Sequence, residues 1–80
     1  MLITLTNDFH RSTARVRVGD DLRVSARAWD HACRKLCGMR ECTCGAVRGP
    51  ITDDDDNRYD AEPEHNRDAR LMYVQLIRCN

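Results

Sequence analysis

The chain has no long hydrophobic run and no basic stretch followed by an apolar core near its start, so neither a membrane-spanning helix nor a secretory signal is expected in it. Aromatics are scarce too. One Trp, one Phe and two Tyr in 80 residues, with 32% of residues charged, leave a small core, and a domain of this size commonly leans on a disulfide set, a metal or a partner subunit. The four glycines form no phosphate-cradling motif. Cys-x-x-Cys is absent, and the only near match, Cys42-Thr43-Cys44, lacks the βαβ setting of thioredoxin-like chemistry. Ser12, Ser25 and the cysteines share the chain with three histidines, but no spacing among them makes a nucleophile and base pair. The expectation is a non-enzymatic, cytoplasmic single domain over residues 1–80.

What the chain does have is cysteine. Five in 80 residues, in a compartment expected to be reducing, favour thiolates on a metal over disulfides, and an odd count would leave one thiol over in any fully paired form. Cys37, Cys42 and Cys44 fall within eight residues, and Gly45 lets backbone N–H groups approach the negatively charged sulfurs. Structural zinc takes four such ligands in a tetrahedron. The fourth is either Cys33, one helical turn before Cys37 on the same face, or His10, which the fold would have to bring across. Cys79 is expected as a thiol outside the set.

The opening segment 2–6 is rich in β-formers, and Ala14, Val16 and Val18 alternate with Arg15 and Arg17 as in a strand with one wet face. Together they predict a hairpin, with Leu22 to Val24 extending the β structure. Ser25 has the chemistry of an N-cap, and a helix is expected from about Ala26 to Cys37, its apolar face Ala26, Trp29, Ala32 or Cys33, and Leu36. Residues 50–70, dominated by Asp, Glu, Asn and Arg, read as a long mobile acidic loop. Residues 71–78 read as a last strand added to the hairpin and covering Trp29. The fold class is therefore α+β: a small hairpin, one helix and a C-terminal strand, stabilised by zinc.

Charge is unevenly spread. Residues 1–50 hold nine Lys or Arg against five acids and residues 51–80 four against eight, so the halves stand near +4 and −4 around a net charge of zero. Arg27, His31 and Arg34 share a helix face beside Lys35, and Arg15 and Arg17 share a strand face, a candidate nucleic-acid surface. Few aromatics interleave these arginines, and Tyr59 and Tyr73 lie far along the chain, which counts against base stacking. In the acidic half, Asp53, Asp55, Asn57 and Glu64 match four positions of a calcium-binding loop, but Arg58 stands where its turn needs Gly. The same acids could also imitate nucleic-acid phosphates toward a DNA-binding protein.

Asn7-Asp8-Phe9-His10, Arg15-Val16-Arg17, Leu36-Cys37-Gly38 and Cys42-Thr43-Cys44-Gly45 resemble a group of short uncharacterised proteins encoded by bacteriophages and prophages, over roughly residues 3–45. The resemblance implies His10, Cys37, Cys42 and Cys44 as one ligand set. It also implies a protein that acts by binding a host macromolecular complex, blocking a host defence system being one such role; the Arg-rich N-terminal half gives the alternative, a nucleic-acid-binding zinc module.

Overall fold

The computed structural model describes residues 1–37 and 47–79. The elements run β1 (Leu2–Asn7), β2 (Ser12–Arg17), β3 (Arg23–Ser25), α1 (Ala26–Cys37), β4 (Ile51–Asp53), β5 (Arg58–His65) and β6 (Leu71–Cys79). The strands form one antiparallel sheet in the order β2-β1-β4-β5-β6-β3. The described residues thus form a small, mostly sheet domain with one helix.

The opening hairpin forms as its alternation predicts. Ile3 and Leu5 of β1 and Ala14 and Val16 of β2 are buried, while Thr13, Arg15 and Arg17 face solvent. In register, Ile3 meets Val16 and Leu5 meets Ala14. Asn7, fully buried, closes the turn by accepting from the His10 N–H at 2.9 Å, and Arg11 takes the left-handed conformation there.

The helix has the predicted bounds. Ser25 Oγ accepts from the Ala28 N–H at 3.1 Å, the expected N-cap bond. Ala32 and Leu36 are buried and Trp29 packs against the same core, so the apolar stripe recurs every three to four residues. The stripe lies on β2 and β1 at one side and on β6 and β3 at the other. Since β2 and β3 are the two edges of the sheet, a helix touching both requires the sheet to curl around it, with α1 across the gap between its edges. Ile3, Leu5, Val18, Val74, Leu76 and Leu36 fill the space between.

Two expectations need correction. Residues 50–70 are not a loop: they form β4, β5 and the turns that follow each. Tyr59 and Ala61 turn inward while Asp60, Glu62 and Glu64 face out, so the acids occupy the wet positions of a strand. Pro63 is accommodated because β4 pairs with β5 only at Arg58 and Tyr59, so among the described residues the rest of β5 has β6 alone as neighbour. The last strand, present as predicted, pairs with β5 and β3 and not with the opening hairpin.

Candidate nucleic-acid interface

The two basic faces seen separately in the sequence meet in space. Arg15 and Arg17 of β2 and Arg27, His31 and Lys35 of α1, with Ser25 at the helix start, line a groove of about 430 Å³. Among the described residues no carboxylate lines it. Arg17, Arg27 and Lys35 have no ion-pair partner among those residues, while Arg15 Nη2 reaches Asp54 Oδ1 at 2.7 Å on the rim. Arg34, expected in the same set, falls outside the groove and pairs with Asp30 one turn back at 3.2 Å.

Main-chain geometry adds to this charge. Met1 and Val18 exchange backbone bonds, Val18 N to Met1 O at 2.8 Å and Met1 N to Val18 O at 3.1 Å. Antiparallel alternation then makes Val16 with Ile3, Ala14 with Leu5 and Ser12 with Asn7 the other bonded pairs. The N–H and C=O groups of Arg15 and Arg17 therefore point away from β1, toward the sheet edge that borders α1. The first turn of the helix has no acidic residue, and Arg27 sits in it, so the positive end of the helix dipole reinforces the cations. A run of cations with outward N–H donors beside it suits an extended polyanion.

The acidic turn after β4 is built differently. Asp53 Oδ1 accepts from the N–H groups of Asp55 (2.9 Å) and Asn57 (3.0 Å), and Oδ2 from Asn57 Nδ2 (3.0 Å) and the Tyr59 hydroxyl (2.8 Å). The Asn57 amide, with smaller help from Tyr59 and the two backbone donors and against the opposing effect of burial, lowers the Asp53 pKa to about 2. The same bond to Asp53, together with burial, raises the Tyr59 pKa. This excludes the calcium loop. Asp53 ends a strand with both oxygens engaged, Arg58 begins the next strand, and Glu64 lies far along it.

Of the expected zinc ligands, Cys42 and Cys44 lie outside the described residues. Cys33 and Cys37 are half-buried on α1, and His10 is half-buried in the β1–β2 turn. Among the described residues no three metal-ligating side chains gather. The Ser12 hydroxyl donates to the Leu36 carbonyl, which sets the turn carrying His10 beside the end of α1 carrying Cys37. Residue 48 then pairs alongside Asn7, with Arg48 N to Thr6 O at 3.1 Å and Asp8 N to Arg48 O at 3.2 Å. Gly49 suits this approach, since a Cβ would stand 3.0 Å from the Asp8 carboxylate and the Thr6 methyl and those side chains would have to shift.

A second hollow, about 600 Å³, lies between Trp29 and the inner faces of β4 and β5, bounded by Tyr59, Ala61, Pro63 and Val74. It also abuts Val47, Gly49 and Pro50, which follow the undescribed segment, and we assign it no ligand.

The sequence reading set Tyr73 aside as distant and gave Phe9 no role of its own. Tyr73 pairs in register with Ser25, and the Arg23 guanidinium lies 4.6 Å from its ring centre. Phe9 is 68% exposed, edge-on to His10 at 4.9 Å with Arg48 at 5.7 Å. A large aromatic in a polar turn was the available signal for Phe9; Tyr73 had none, because strand pairing alone brings it to the helix start. No described helix is long and apolar enough to cross a membrane. No protein-family model, curated protein or solved structure matches the chain.

Proposed function

We propose that this is a non-enzymatic domain that binds nucleic acid by its phosphate backbone along the seam between β2 and α1. The observation that carries the reading is the convergence of Arg15, Arg17, Arg27 and Lys35 on one groove without a lining carboxylate among the described residues. Like charges held together lower stability unless a counter-charge is recruited, and phosphate contacts of this kind position a ligand without reading its bases. Equilibrium binding of a labelled oligonucleotide over a salt series tests it. Three to four phosphate contacts give a slope of log K against log salt between about −2 and −3 for a single strand. No binding at low salt rules the reading out.

A structural zinc ion is a second, compatible element, favoured by the hydrogen bond that joins the His10 turn to the end of α1. Cys37, Cys42, Cys44 and either His10 or Cys33 would hold it, and zinc would supply folding free energy and no chemistry. Native mass spectrometry is then expected to show one zinc per chain. A chelator, or Cys42→Ser, would lower the thermal midpoint. A metal-free protein at full stability contradicts this element and leaves the seam untouched.

A further inference from the structure

The seam ends at both extremes in an aromatic ring paired with an arginine. At the Lys35 end, the Ser12–Leu36 hydrogen bond brings in the β1–β2 turn, whose Phe9 projects into solvent with Arg48 beside it. At the Ser25 end, cross-strand pairing sets Tyr73 next to a groove-lining residue, and the Arg23 side chain covers its ring while donating from Nε to Gln75 Oε1 at 3.2 Å. That bond fixes the guanidinium as a flat plate. Exposed aromatic faces and guanidinium planes stack on bases of any identity, but only where the bases are not already stacked in a duplex.

Geometry between the two ends agrees. The twelve residues of α1 make a path of about 18 Å, bordered by the cations and by the outward N–H groups of Arg15 and Arg17. A rod with paired bases would present its phosphates to this groove and leave both rings unused. An extended strand can lay its phosphates along the groove and turn its bases onto the rings at either end.

We propose that the seam binds single-stranded nucleic acid, with backbone phosphates against Arg17, Arg27 and Lys35 and bases stacked on Phe9 at one end and on the Tyr73–Arg23 pair at the other. The proposal rests on the phosphate-binding reading above and adds the form of the ligand.

Fluorescence anisotropy with a short oligothymidylate and with a duplex of the same length tests it. The single strand is expected to bind more tightly. Phe9→Ala, at an exposed position, is expected to weaken the single strand roughly tenfold, as the loss of one stacked base does. Its salt slope should not change, because no phosphate contact is removed. Phe9→Trp should restore affinity, and Lys35→Gln should instead reduce the slope by about 0.7. Equal affinity for strand and duplex, or a Phe9→Ala protein that binds like the parent, overturns the single-strand proposal while leaving phosphate binding in place. Failure of both oligonucleotides to bind at low salt overturns the two together.

Discussion

Around Asp53 the fold supplies four hydrogen-bond donors to the two carboxylate oxygens, whereas along the seam Arg17, Arg27 and Lys35 have no carboxylate partner among the described residues. Both regions are rich in charge of one sign. In the acidic turn Asp53 directs its charge inward, to hold Asn57 and Tyr59 in place, Asp54 reaches Arg15, and Asp55 and Asp56 are exposed. The basic seam directs its charges outward. Charge that a fold satisfies internally contributes to stability; charge that it gathers and leaves unsatisfied is available to a ligand. Substitutions in the first region should therefore move stability and those in the second should move binding.

The largest expected effect tests what seats the seam. Leu36 is 1% exposed beneath it, and Leu36→Ala should cost about 2–5 kcal/mol in denaturant unfolding. Oligonucleotide affinity should fall with it, since α1 forms one wall of the groove. Unchanged stability would mean that the helix is not held as described.

Next is Asp53→Asn, read as a pH profile. The folded Asp53 pKa of about 2 lies below the usual carboxylate value, so its contribution is present above about pH 4 and is lost as pH falls toward 2. Thermal melts of the parent should show that loss, and the variant should be less stable at neutral pH and flatter across the same window. Its affinity for nucleic acid at neutral pH should match the parent's. A variant that binds poorly while melting normally would blur the division between the two regions.

Ser25→Ala removes the N-cap acceptor for Ala28, and should cost about 1 kcal/mol in the same unfolding assay. The smallest effect is expected for Arg34→Gln. Its exposed pair with Asp30 is worth about 0.3–0.5 kcal/mol, and because Arg34 lies outside the groove, binding and salt slope should stay close to the parent's. Arg17→Gln in the same assay should reduce the slope by about 0.7.

The contrast also explains what could be read from the sequence. The hairpin, α1 with its Ser25 cap, and the last strand were legible because Ala14, Val16 and Val18, then Trp29, Ala32 and Leu36, then Val74 and Leu76 declare a buried face by their spacing. Strand β5 was hidden because it buries only Tyr59 and half-buries Ala61; from Glu62 to His65 every residue is exposed, and pairing with β6 holds it. Arg15 and Arg17 could be set on one face and Arg27 and Lys35 on another. Their meeting depends on α1 lying across the gap between the sheet edges, a tertiary fact with no local signature. Arg34 falls outside the groove for the same reason. Helical spacing puts it near Arg27 and His31, yet the packing of α1 turns Lys35 and not Arg34 toward β2.

The most direct test of the seam is a residue-by-residue map of amide chemical shifts as a short single-stranded oligonucleotide is titrated in at low salt. Shifts concentrated at Ser12–Arg17 and Ser25–Lys35, with the Asp53–Asn57 turn quiet, are the predicted result. Shifts centred on β4 and β5, or none at saturating oligonucleotide, would contradict it.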